Sequence, residues 1–172
     1  TVEDTVKEIP FYESAEYATI EGSPAFIEAA IEASFREYRP NAFIDGVATP
    51  GGTGGIHHAL FNYLDEGDTA ITMDRYWAAY KSICRETGRN FDTFVMFDAE
   101  GNFNVQGCID KLQEYAAKQT NVFLIMNTPA NNPTGYNVKQ NEWEAIMAEL
   151  TSIANNGRNN VVLLMDIAYI DF

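Results

Sequence analysis

The sequence predicts an α/β domain of three layers, a mostly parallel sheet with helices on both faces. Short apolar runs such as Thr69–Met73, Val122–Met126 and Val161–Met165 alternate with helix-periodic segments. Val122–Met126 and Val161–Met165 are continuously apolar, as strands covered on two faces require. Polar and Gly- or Pro-rich stretches recur just after the strands, at the sheet end where such folds bind ligands.

Residues 1–19 have weak periodicity and receive no element. Ser23-Pro24 is a helix start, a capping residue and then proline in the first turn, and Ile27, Ile31, Phe35 and Tyr38 continue at helical spacing. Arg39-Pro40-Asn41 ends that helix. Ala42–Val47 reads as a strand interrupted by Asp45. The glycines of 51–55 precede a helix whose face is Ile56, Ala59, Leu60, Tyr63 and Leu64, stopped by Asp65-Glu66-Gly67-Asp68. After the strand Thr69–Met73, Trp77 opens a helix that continues through Tyr80, Ile83 and Cys84 and closes at Gly88. Phe91–Phe97 is a strand and Asp98–Asn102 a turn. Ile109, Leu112 and Tyr115 mark a helix. After the strand Val122–Met126, the helix of Trp143, Ile146, Met147, Leu150 and Ala154 ends at Asn155-Asn156-Gly157. Val161–Met165 is the last strand, with Asp166 at its end.

A chain of 172 residues, 46% apolar, is long enough for one well-cored domain. Twenty-five acidic against eleven basic residues, a net charge of −14, argue against nucleic acid and against anionic membrane surfaces as partners. Cys84 and Cys108 lack metal-like spacing, and a reduced, cytoplasmic protein is the simplest reading. No apolar run approaches the roughly 20 residues that span a bilayer. Thr1-Val2-Glu3-Asp4-Thr5 is acidic, is no signal peptide and lacks an initiator Met, and the chain stops soon after a strand. Both ends are therefore expected to be cuts in a longer protein.

Three stretches carry candidate chemistry. Gly51-Gly52-Thr53-Gly54-Gly55 before a helix suits an anion, since glycine lets the backbone approach and N–H groups at a helix start point at negative charge. It is neither a P-loop, with no Lys-Ser or Lys-Thr following, nor the dinucleotide fingerprint, so a nucleotide-binding domain is disfavoured; a plain tight turn stays open. Asn127–Tyr136 holds two prolines, one glycine and three asparagines, which fix a rigid loop and push Asn132 toward an extended backbone. A structural turn is the alternative. Trp77 offers a face for a flat ring, or core packing. Asp166 offers a carboxylate for a cation or protonated ring nitrogen, or a cap. Tyr169 follows three residues later. His57 and His58 are adjacent and point apart on a helix, a poor metal pair.

Taken together and in order, these pieces resemble the class I/II aminotransferases, the aspartate and aromatic aminotransferase-like branch of the fold-type I pyridoxal-phosphate enzymes. Asn131-Asn132-Pro133-Thr134-Gly135 resembles the family's Asn-Pro-x-Gly loop and Gly51–Gly55 its phosphate-cup turn. Asp74-Arg75-Tyr76-Trp77, with Tyr80 and Gly88, resembles the segment whose aromatic ring stacks on the cofactor. Asp166-Ile167-Ala168-Tyr169 resembles Asp-x-Ala-Tyr, and Glu16-Tyr17 with Gly22 the segment that reaches a neighbouring subunit. The resemblance implies pyridoxal phosphate as cofactor. Gly52, Thr53 and Gly54 would hold its phosphate, Trp77 stack on its ring, Asn132 and Tyr169 bond its phenolic oxygen, and Asp166 pair with its ring nitrogen. Tyr17 would complete a partner's phosphate site, implying a homodimer. Residues 1–40 would be the N-terminal segment and first helix, and 41–172 a partial cofactor-binding domain.

The sequence departs from the family in specific places. The lysine that family members join to the cofactor lies downstream of Asp-x-Ala-Tyr, whereas Lys7, Lys81, Lys111, Lys118 and Lys139 all precede Asp166. No catalytic residue is therefore assigned, and the chain alone is expected to be inactive. The family's C-terminal substrate-carboxylate arginine has no counterpart either. Gly51 stands where many relatives carry serine. Tyr80 stands where some aspartate-specific members carry histidine, so aspartate is not assigned as substrate. The implied activity is amino transfer between an amino acid and a 2-oxo acid. A β-lyase-like reaction on the same scaffold and an aminotransferase-like sensing domain of a transcription regulator are the alternatives.

Overall fold

A computed structural model describes residues 1–171. Two units are distinct, one of residues 1–49 and one that starts at Pro50. The first holds the helices α1 (Val2–Glu8), α2 (Phe11–Ala15) and α3 (Pro24–Phe35), the last continued by a 3₁₀ turn, Arg36–Tyr38. Ser23 caps α3, its hydroxyl accepting from the Phe26 N–H at 3.3 Å, with Pro24 in the first turn as expected. The unit buries little: Phe11, Tyr17, Ile20 and Phe43 are all exposed.

The expected strand at Ala42–Val47 does not form. A strand is defined by a ladder, and none of the described residues pairs with this segment. Asp45 instead closes its side chain onto the next N–H, that of Gly46, at 2.8 Å, and the Ala48 N–H donates to the Glu21 carbonyl at 2.7 Å.

The second unit contains α4 (Gly51–Tyr63), β1 (Thr69–Met73), α5 (Ala79–Glu86), β2 (Asn90–Phe94), α6 (Val105–Lys118), β3 (Asn121–Asn127), α7 (Gln140–Ala154) and β4 (Asn160–Asp166). All strand pairs are parallel, in the order β2-β1-β3-β4. Parallel neighbours need a crossover, and α5, α6 and α7 supply one each.

The central strand β3 shows why three layers form. Side chains alternate between faces along a strand. Val122, Leu124 and Met126 join Leu112 of α6 and Ile146, Leu150 and Ile153 of α7 in one core cluster. Phe123 and Ile125 join Ile56 and Leu60 of α4 and Tyr80, Ile83 and Cys84 of α5 in the other. Because both faces are apolar, a helix layer on one side alone would leave half of β3 in water. Each such side chain, fully buried, contributes about 1.5–3 kcal/mol of transfer free energy.

Two side chains trim the edges. Arg89 donates from Nε to the Leu64 carbonyl at 2.8 Å and from Nη2 to the Phe61 carbonyl at 2.9 Å, placing a cation on carbonyls that end α4. On edge strand β2, Asp92 accepts from Lys111 at 2.9 Å and from the Tyr115 hydroxyl at 2.8 Å.

Three boundaries differ from expectation. The glycine stretch lies inside α4 rather than before it, with Gly51 at φ +68° starting the helix. Trp77 precedes α5 instead of opening it. Strand β2 ends at Phe94, after which the Met96 N–H donates to Asp74 at 2.9 Å and leaves the ladder.

Candidate functional site

The carboxyl ends of β3 and β4, the loop after β1 and the start of α4 face one cleft of about 220 Å³. Its lining includes Gly52, Thr53, Trp77, Asn132, Asp166 and Tyr169, together with Ile56, Asn127 and Ala168. Six of the eight residues singled out in the sequence thus converge, from stretches more than a hundred residues apart at the extremes. Gly54, one residue further along α4, is half-buried and does not line the cleft. Tyr17 belongs to the first unit and is 92% exposed.

Register builds the centre of the site. Strands β3 and β4 pair so that Asn127 stands opposite Asp166 at the last rung. The Asn127 side-chain amide donates to the Asp166 carbonyl at 3.0 Å, and its oxygen accepts the Asn132 N–H at 2.6 Å. One buried asparagine therefore fixes both the end of β4 and the turn that carries Asn132. The Asn132 amide in turn donates to the Tyr169 hydroxyl at 3.3 Å, putting an amide and a phenol side by side.

The Asp166 carboxylate is held at both oxygens. Oδ1 accepts the Ala168 N–H at 3.1 Å, and Oδ2 accepts the Tyr80 hydroxyl. Tyr80 is fully buried on α5. Burial first, and then Asp166 itself, raises the Tyr80 phenol well above its ordinary range, so it stays a neutral donor. Its ring meets the Trp77 indole edge-on, with centroids 5.7 Å apart at 89°.

At the other side of the cleft, Gly52 and Thr53 lie in the first turn of α4, where backbone N–H groups have no partner within the helix. A Cβ built on Gly52 meets nothing within 4 Å, so glycine keeps the backbone bare there. The whole arrangement can hold an elongated, flat, polar ring: an anion at the helix start, an indole for the face, a carboxylate for a protonated nitrogen, and two donors for an oxygen.

Tyr80 and Asn127 fall within the motif segments read from the sequence, but the sequence assigned neither a role in this site. Tyr80 lies three residues after Trp77 at helical spacing, a signal that also fits plain core packing. Asn127 ends an apolar run, where a polar residue at the last rung of a buried strand was the available clue.

The sequence profile of the family described as aminotransferase class I and II matches residues 3–172. Cytoplasmic aspartate aminotransferase of Schizosaccharomyces pombe is 29% identical over 91% of this chain and 38% of its own length. An aromatic-amino-acid aminotransferase of Paracoccus denitrificans is 30% identical with the same coverage. The crystal structure of an aminotransferase from Anaerococcus prevotii superposes with a TM-score of 0.96 at 38% identity, over 99% of this chain and 42% of that one. The chain thus spans roughly two fifths of the length of these proteins. With its profile matched almost end to end and its fold reproduced in a solved aminotransferase, the chain belongs to the class I and II aminotransferases.

Proposed function

We propose that the protein carrying this chain is a pyridoxal-phosphate-dependent aminotransferase, moving an amino group between an amino acid and a 2-oxo acid, and that this chain supplies most of the cofactor cradle. The observation that carries the reading is the convergence of Asp166, Trp77, Asn132, Tyr169 and the bare start of α4 on one cleft. Bound there, pyridoxal phosphate supplies an electron sink for bonds broken at the substrate's α-carbon.

The residues divide the work by chemistry. Asp166 pairs with the ring nitrogen and keeps a proton on it, and Tyr80 and the Ala168 N–H hold that carboxylate in place. Trp77 covers one ring face and excludes water from it. Asn132 and Tyr169 bond the phenolic oxygen and stabilise negative charge there. Gly52 and Thr53, which line the cleft, take the phosphate through backbone N–H groups and the Thr53 hydroxyl, with Gly54 behind them in the same helical turn. Tyr17 completes the phosphate site of a second copy in a homodimer. The relatives are transaminases by name, which favours amino transfer over elimination or sensing. Two buried free thiols fit a reducing, cytoplasmic setting.

The test is an absorbance titration of the full-length protein with pyridoxal phosphate beside Asp166→Ala, followed by product analysis with amino-acid and 2-oxo-acid pairs. Saturable binding that the substitution weakens at least about tenfold, with exchange of amino and oxo groups, is expected. Ammonia release without exchange would move the reaction to elimination, and folded protein that binds no cofactor would sink the proposal.

A further inference from the structure

Asn131 is 2% exposed, and its polar groups are all used. Its Oδ1 accepts from the Thr134 hydroxyl at 2.8 Å and from the Thr134 N–H at 3.4 Å. Its backbone N–H donates to the Tyr136 carbonyl at 3.0 Å, and its carbonyl accepts the Gly135 N–H at 2.6 Å. The turn from Asn131 to Tyr136 is thus wound around this one residue. Its Nδ2 leaves the turn. It donates to the Arg75 carbonyl at 3.3 Å and lies 3.5 Å from the Met73 sulfur, at the carboxyl end of β1.

Arg75 lies two residues before Trp77, and Asn132 is the next residue after Asn131. Resting on the reading of the cleft given above, we infer that Asn131 is a positioning residue that ties the Trp77 loop to the Asn132 turn. It sets the indole face and the Asn132 amide at one spacing. Other side chains cannot make both sets of contacts. Aspartate would set a carboxylate against the Arg75 carbonyl, serine is too short to span both contacts, and alanine removes both the bond to the Arg75 carbonyl and the acceptor of the Thr134 hydroxyl. Asn131 itself is buried, so its amide has to be satisfied within the protein, and the Arg75 carbonyl is the partner through which it couples the two loops. Asn127 makes the corresponding tie on the other side, from the same turn to Asp166. The two asparagines together reference three ring contacts to one turn.

The experiment uses the full-length protein labelled with 5-fluorotryptophan, the Trp77 fluorine line being assigned with Trp77→Phe. In the cofactor-free protein, Asn131→Ala is expected to shift and broaden that line while the far-ultraviolet circular dichroism stays that of wild type. Its affinity for pyridoxal phosphate should fall about tenfold. Native-state hydrogen exchange on the wild type should show residues 74–78 and 131–136 opening together, at the same denaturant concentration. An unchanged Trp77 line in folded Asn131→Ala overturns the tie. So does wild-type exchange in which the two segments open independently, a result that stands even where the variant does not fold. Wild-type protein that binds no pyridoxal phosphate would refute the reading of the cleft alone, because the fluorine line and the exchange pattern need no cofactor.

Discussion

The Tyr80 hydroxyl donates to the Asp166 carboxylate across 86 residues of sequence, and the same ring meets Trp77 edge-on. One buried phenol on α5 therefore touches both the carboxylate that ends β4 and the indole that walls the cleft. A neutral, fully buried donor orients a carboxylate without adding charge or taking its negative charge away. That is the arrangement a cationic ring nitrogen would select.

Tyr80→Phe keeps the packing and deletes the donor. Hydrogen bonds to charged groups contribute about 1.5–3 kcal/mol, so the affinity for pyridoxal phosphate should fall by about tenfold or more while the fold is kept. Equilibrium titration of the variant checks this. An affinity equal to that of wild type would show that the Ala168 N–H orients Asp166 unaided.

The Tyr136 hydroxyl donates to both oxygens of Glu142, at 2.7 and 3.0 Å, and clamps the asparagine turn to the start of α7. Burial first, and Glu142 second, raise the Tyr136 phenol from 10.0 to about 12. A phenol whose pKa is higher in the folded state contributes stability below its unfolded pKa and loses it as pH rises through the folded one. Wild type should therefore lose stability between about pH 10 and pH 12 more steeply than Tyr136→Phe. Urea unfolding at a series of alkaline pH values measures the difference, and parallel curves would count against the clamp.

Cys84 and Cys108 are both fully buried. Burial raises Cys84 to about 11, against a smaller opposing effect of Arg89, and raises Cys108 to about 12. The thiolate is the reactive form, so iodoacetamide near pH 8 should label neither in the native protein and both in denaturant. Peptide mapping by mass spectrometry distinguishes the two states. Native labelling of Cys108 would contradict the packing of α6 on the sheet.

Leu60 and Leu112 are fully buried on opposite faces of the sheet. Leu60→Ala and Leu112→Ala should each cost about 2–5 kcal/mol. Chemical denaturation should show similar losses for both. A loss confined to Leu112→Ala would mean that the α4 layer is held more loosely than its burial indicates.

The buried strands were the most legible part of the sequence. Thr69–Met73 is β1 as expected, and β3 and β4 extend the expected runs by one residue at each end. Continuous apolar runs leave few alternatives, because any other placement exposes them. Ala42–Val47, interrupted by Asp45 and Gly46, has no neighbouring ladder among the described residues, and local preference alone does not make a strand. The glycines of 51–55 were legible as a stretch at the start of a helix, but their place within α4 was not. Glycine disfavours helix locally, and here the packing of Ile56 and Leu60 against the sheet prevails.

By itself the sequence determined the layered α/β class, the order of strands and helices from residue 50 onward, and the residue types offered at the strand ends. These follow from periodicity and turn chemistry, which are properties of near neighbours along the chain. Only the tertiary structure decided that Asn127 stands opposite Asp166, that Tyr80 reaches that carboxylate, and that Asn131 joins two loops. Each of these is a contact between distant segments. Its geometry depends on strand register and helix packing, which local propensity does not encode.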